Sequence, residues 1–157
     1  MQKIHPFLWF DGKAEEAMNF YVSIFRNSKV GNVSRYGDAG PGSKGQVMTA
    51  SFQLEGQDFT ALNGGPMYKF TPAISLYVDC NDQGEVDRLW DKLSEGGQIQ
   101  ACGWVTDKFG VSWQIIPEAL PRLMTDENPK KAHAVMQAML QMKKIEAGEL
   151  QRVYDSA

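Results

Sequence analysis

Histidine and cysteine are scarce in this chain, which carries two of each in 157 residues. Cys80 and Cys102 have no closely spaced cysteine or histidine partners, a pattern that fits neither a zinc site nor a disulfide framework, so both read as reduced, small hydrophobic residues. Positive charge is not in excess. A formal net charge of -3 and a pI near 5.4 offer no basic face to a phosphate backbone, and nucleic acid is not expected as a partner. Long apolar runs are missing too: Lys3, His5, Asp11 and Lys13 interrupt the beginning, and nothing later reaches the length of a membrane span. The expectation is a cytoplasmic protein without a signal peptide and without a membrane partner.

Two nucleotide signatures are also lacking. Gly37, Gly40 and Gly42 lie near Ser43-Lys44, but the order is the reverse of a phosphate-binding Lys-Ser/Thr pair and the next segment reads as a strand. No helix N-terminus is therefore expected at which a phosphate would bind, and the loop reads as mobile. A Rossmann-like cofactor fold would need its glycine turn between a strand and a helix of a parallel sheet, and the sequence offers none.

What is present is the balance of an ordinary globular domain, 43% apolar and 22% charged. Lys3 to Phe10 reads as a strand that begins irregularly or runs along an edge because of Pro6. Ala14, Ala17, Met18, Tyr21, Ile24 and Phe25 then recur with the period of a one-sided helix. Lys29 to Tyr36 returns to strand composition, and Gln46–Leu54 and Gln57–Asn63 form a hairpin across Glu55-Gly56.

From Pro72 the order repeats. A strand is expected over Ala73–Val78, followed by a helix carrying Val86, Leu89, Trp90 and Leu93, with Asp82 and Glu85 as a capping-box-like start and Gly96-Gly97 as the stop. Three short strands fit between Gln98 and Pro117, the last two joined by the Asp107-Lys108-Phe109-Gly110 turn. Residues 118–157 are rich in helix formers. Met136, Met139 and Met142 in that tail either clasp a partner subunit, cover a pocket mouth or pack on their own chain.

Strand alternation selects candidate site residues. His5, Phe7 and Trp9 share one face of the first strand, and an imidazole beside two large aromatics suits a pocket wall as well as a sheet core. Gln114 alternates with Trp113 and Ile115, so it either touches a bound molecule or holds polar groups of a neighbouring strand. Asn63, before Gly64-Gly65, reads as a rim residue or a turn residue, and Trp104 is a further candidate for the pocket lining.

The segments Phe7–Gly12, Ala14–Ala17 with Phe20-Tyr21, Ala61–Gly65 and Asp107–Ile115 together resemble the PhnB-like branch of the vicinal oxygen chelate superfamily, often named demethylubiquinone methyltransferase-like. That superfamily includes glyoxalase I, bleomycin-resistance proteins and extradiol dioxygenases. The resemblance implies an α+β fold of two βαβββ modules, about 1–63 and 72–117 within residues 1–117, forming a curved mixed sheet with a concave pocket. Residues 118–157 would be a C-terminal helical extension of the same domain, and a homodimer is the usual state.

Active members of the superfamily hold a divalent metal through His, Glu or Gln. By the resemblance the ligand positions would fall at His5, near Phe59–Asn63, near Ala73 and at Gln114, where Glu is usual. His5 with a neutral amide is a poor set for such an ion, and the other histidine, His133, lies in the tail. No metal and no cofactor are therefore expected. The leading reading is a binding protein of the bleomycin-resistance kind, taking a small hydrophobic or aromatic ligand between the modules at His5, Phe7, Trp9, Asn63, Trp104 and Gln114. Whether it is an enzyme stays open. The alternatives are a metal-dependent isomerase, lyase or dioxygenase, and a methyltransferase as the family name suggests.

Overall fold

The computed structural model describes residues 2–157. Hydrogen bonding defines two four-stranded mixed sheets, each built from one strand-helix-strand-strand-strand repeat, and the fold is α+β as expected. Two compact units result, one extending to Phe70 and one from Thr71 to Ala157.

In the first unit β1 (Phe7–Phe10), α1 (Ala14–Ile24), β2 (Ser28–Arg35), β3 (Val47–Leu54) and β4 (Gln57–Asn63) form a sheet of order β1-β4-β3-β2. β1 runs parallel to β4 and the other pairs are antiparallel. The strand expected from Lys3 starts only at Phe7, after Pro6, whose carbonyl accepts the Thr60 N–H at 3.1 Å. Ala14, Ala17, Met18, Tyr21 and Ile24 are all buried, so the apolar stripe read in the sequence is the face of α1 turned to the core. Tyr21 stacks on Phe52 and Phe52 on Phe59, with ring centroids 6.3 and 5.3 Å apart. Burying each large side chain of this set stabilises the unit by about 2 kcal/mol.

The connections follow local chemistry. Glu55 (φ 50°) and Gly56 (φ 82°) both adopt the left-handed conformation that a two-residue hairpin turn needs. The pairing of β2 with β3 is irregular between Val30 and Val33, and there the Ser51 hydroxyl accepts the Asn32 N–H at 2.8 Å. A Cβ on Gly31 would lie 2.5 Å from that hydroxyl oxygen. In the glycine-rich loop Gly40 and Gly42 pack against the Tyr36 ring, whose hydroxyl donates to the Asn63 carbonyl at 2.6 Å.

The second unit has β5 (Leu76–Cys80), α2 (Gln83–Ser94), β6 (Gln98–Ile99), β7 (Trp104–Thr106) and β8 (Ser112–Pro117), with sheet order β5-β8-β7-β6 and β5 parallel to β8. The strand expected at Ala73–Val78 is displaced. Ala73 lies in a turn instead, because the Thr71 hydroxyl accepts its N–H at 3.3 Å, and pairing begins at Leu76. Asp82 caps α2 by accepting the Glu85 N–H at 2.9 Å, and Val86, Leu89, Trp90 and Leu93 are buried.

The tail belongs to this second unit. Its helices α3 (Ala119–Met124), α4 (Pro129–Leu140) and α5 (Ala147–Ser156) share a buried cluster with Ile116 of β8, including Leu120, Leu123, Val135, Ile145 and Leu150. Gln83 of α2 fastens them: its Nε2 donates to the Ile145 carbonyl at 2.9 Å and its Oε1 accepts the Ala147 N–H at 2.8 Å. Met139 and Met142 pack against the cluster, while Met136 remains exposed. No helix among the described residues is long and apolar enough to cross a membrane.

Candidate functional site

The face of the first sheet opposite α1 is the polar one. Period two in β3 and β4 buries Ala50, Phe52 and Leu54 with Phe59 and Ala61, and directs Ser51, Gln53, Asp58 and Thr60 the other way. Register then sets the rows. Lys29 lies opposite Gln53 and Gln53 opposite Asp58, while Ser51 lies opposite Thr60 and Thr60 beside Phe7. A cleft of about 240 Å³ opens over these residues and His5.

His5 reaches the cleft from the segment before β1. One ring nitrogen, Nε2, is 3.0 Å from the Thr60 hydroxyl, and Nδ1 is buried with no partner among the described residues. A buried polar nitrogen without a partner is costly, and a turn of the ring that let a bound group reach it would recover a hydrogen bond. Asp58 accepts the Gln2 N–H at 2.9 Å and the Gln53 amide at 2.6 Å. The backbone N–H of Gln2 first, and the Gln53 side chain second, hold its carboxyl below the usual range, so it is ionised at neutral pH.

Phe7 and Trp9 lie on this same face at β1. Phe7 is 57% exposed. Trp9 is held in place: its Nε1 donates to the Gly65 carbonyl at 2.8 Å and its ring meets Tyr68 edge-on at 4.9 Å. Gly64 permits this, since a Cβ there would lie 2.5 Å from the indole. Asn63 is buried, and its amide is committed within the fold: Oδ1 accepts the Ala14 N–H at 2.9 Å and Nδ2 donates to the Val47 carbonyl at 3.0 Å. It supplies the start of α1 with the cap that Lys13 does not provide.

In the second sheet, register brings Trp104, Gln114 and Tyr77 side by side across three strands. Gln114 donates from Nε2 to the Ser75 hydroxyl at 2.9 Å, so its amide holds a neighbouring segment of its own unit. Tyr77 is 49% exposed and was not among the candidates read from the sequence. Lys29, Ser51, Gln53, Asp58 and Thr60 were missed as well, although the polar alternation of both strands was the available signal.

Comparison with known proteins now fixes the family. The 3-demethylubiquinone-9 3-methyltransferase family matches residues 2–116 of the chain. The chain belongs to this family. Among solved structures, the PhnB protein from Bacillus cereus is 44% identical over 74% of this chain and 99% of its own, with a TM-score of 0.69. A protein from Pseudomonas aeruginosa is 23% identical over 75% of this chain and 98% of its own, with a TM-score of 0.63, a likeness of fold. The same holds for a fosfomycin resistance protein from Listeria monocytogenes in complex with Mn(II) and sulfate, 14% identical over 72% of this chain and 90% of its own, TM-score 0.51. No curated protein matches the sequence. The protein is thus PhnB-like, and its fold is the glyoxalase-like one of the vicinal oxygen chelate superfamily.

The metal implied by that superfamily does not fit the side chains of this PhnB-like chain. No group of three or more His, Cys, Asp or Glu among the described residues is placed to hold an ion. His5 already has Thr60 at one nitrogen, Gln114 is a neutral amide bonded to Ser75, and Ala73 has no donor in its side chain. Divalent ions of this class draw their affinity from three or four anionic or imidazole donors.

Proposed function

We propose that this PhnB-like protein binds a small hydrophobic or aromatic molecule without a metal ion, on the open face of the first sheet at His5, Phe7 and Trp9. The observation that carries the reading is the buried, unpartnered Nδ1 of His5, a residue that lines the cleft, with the half-exposed Phe7 two residues on in the chain. Small-molecule sites combine apolar surface with a few aimed polar groups. Trp104 and Gln114, on their own sheet, are proposed as contacts of the same kind; Asn63 acts by positioning α1.

The protein is further proposed to work as a cytoplasmic homodimer of the paired modules 1–117 with the tail 118–157 in the same domain. Exposed Ile4, Met67 and Ile74 give apolar surface for a second copy to cover, and sedimentation should report twice the 17.5 kDa chain mass.

The binding reading is tested by elemental analysis of protein purified without chelator, followed by a ligand-observed NMR screen of small aromatic molecules against wild type and His5→Ala. Ion-free protein that binds aromatic compounds, and binds them more weakly once His5 is removed, supports it. A stoichiometric ion, or unchanged affinity in His5→Ala, overturns it. Heat on titration with S-adenosylmethionine would favour the methyltransferase alternative instead.

A further inference from the structure

The open face of the first sheet is chemically polarised from one edge to the other. Its β1 edge carries the aromatic pair Phe7 and Trp9, beside the cleft rather than in its lining, and its β2 edge carries Lys29, within the lining, with β4 and β3 between them. Three strand spacings separate the edges, about 14 Å. The two charges in the cleft are not equivalent. Both oxygens of Asp58 already accept hydrogen bonds, from Gln2 and from Gln53. Lys29 forms no ion pair among the described residues, unlike Lys13, Lys44 and Lys144, which each have a carboxylate within 4 Å.

Asp58 does not serve Lys29 either. Gln53 stands between them in the register, so their backbones are two strands apart, about 10 Å, and no ion pair joins the two side chains among the described residues. A carboxylate, by contrast, accepts well from an ammonium group whose three donors are free. Among the described residues, the Lys29 ammonium at one side and His5 Nδ1 nearer the other are two groups of this face that have no hydrogen-bond partner, and Phe7 follows His5 two residues on.

We propose that the ligand class of this face is an aromatic molecule bearing an anionic group, its ring against Phe7 beside His5 and its anion directed toward Lys29. The inference rests on the binding reading above and adds the charge and the orientation. A neutral aromatic of the same shape would keep the ring contact and lose the ion pair.

The probes are 1-naphthoate and the neutral 1-naphthamide, titrated into isotope-labelled protein at low salt while backbone amide shifts are followed. The variants are Lys29→Gln, Phe7→Ala and, as a control of equal net charge, Lys44→Gln. Shifts are expected at residues 29, 51–53 and 58–60, with naphthoate binding about fivefold more tightly than naphthamide, the ratio given by about 1 kcal/mol for a partly exposed ion pair. Lys29→Gln should abolish that preference, Lys44→Gln should keep it, and Phe7→Ala should weaken both probes. Equal affinity of the two probes, or a preference that survives Lys29→Gln, overturns the anionic class while leaving the binding reading intact. Failure of both probes to move these amides removes the face as a binding site altogether.

Discussion

The indole N–H of Trp113 donates to Oδ2 of Asp107 at 2.9 Å, inside a unit where both residues are only 2% exposed. The other carboxylate oxygen accepts the N–H groups of Phe109 and Val111 at 2.8 and 3.1 Å, so one side chain closes the turn and anchors the strand that follows it. Asp107→Ala strands three donors at once, two of them buried. The expected cost is about 3 kcal/mol, read as a lower urea midpoint together with a change in tryptophan emission. Asp107→Asn should cost less, because its remaining oxygen still accepts from the turn.

Asn63 carries a different expectation. Its amide joins the start of α1 to β3, so Asn63→Ala should destabilise the protein by about 2 kcal/mol in thermal or urea unfolding. Affinity for an aromatic probe should stay unchanged under conditions where the variant is folded. Weakened binding at unaltered stability would return Asn63 to the group of ligand contacts.

The two thiols should differ sharply in reactivity. Cys80 is fully buried, and burial first, with the nearby Glu85 carboxylate second, pushes its pKa up to about 12. The attacking species is the thiolate, so this residue is inert in the native protein. Cys102 is partly exposed. A thiol titration is expected to show one accessible group, Cys102, and a second only after unfolding; loss of the native signal in Cys102→Ser checks the assignment.

The tail contains an acid-sensitive link. Tyr154 donates to Asp126 at 2.7 Å, and this hydrogen bond first, then the Asn128 N–H, holds the carboxyl below its ordinary 3.8. A depressed carboxyl stabilises the fold above its unfolded value and stops doing so as pH falls through the folded one. Wild type should therefore lose more stability than Asp126→Asn between about pH 6 and about pH 3, measured as the shift of the urea midpoint. Equal losses would show that the link is not coupled to folding.

Much of this was legible in the sequence because it depends on near neighbours. The helix over Ala14–Ile24 follows from its apolar spacing, and the cap on α2 from Asp82 standing three residues before Glu85. The strand near Ala73 was misplaced because a hydroxyl two residues earlier diverts the chain into a turn, a local competition that strand composition does not reveal. The packing of Gly40 and Gly42 on Tyr36 was not legible either, because it depends on a ring several residues away.

The site was less legible than the fold. Alternation put Phe7 and Trp9 on one strand face, with His5 reaching it from the segment before β1, but Lys29 comes to that face through cross-strand register, which pairs it with Gln53 and thence Asp58. Asn63 presents the same difficulty: beside two glycines it suggests a turn, yet its partners are Ala14 and Val47, far away in the chain. Gln83, whose amide meets Ile145 and Ala147, had no signal at all.

The seam between Ile116 and the terminal helices makes those helices inseparable from the sheet they cover. A protease that clipped the chain just beyond Pro117 would strip an isoleucine, now 3% exposed, of its apolar neighbours and leave Gln83 without its two backbone partners. The shortened product would clump rather than persist as a minimal version of the fold, so the last forty or so residues are as much a part of the second repeat as its strands.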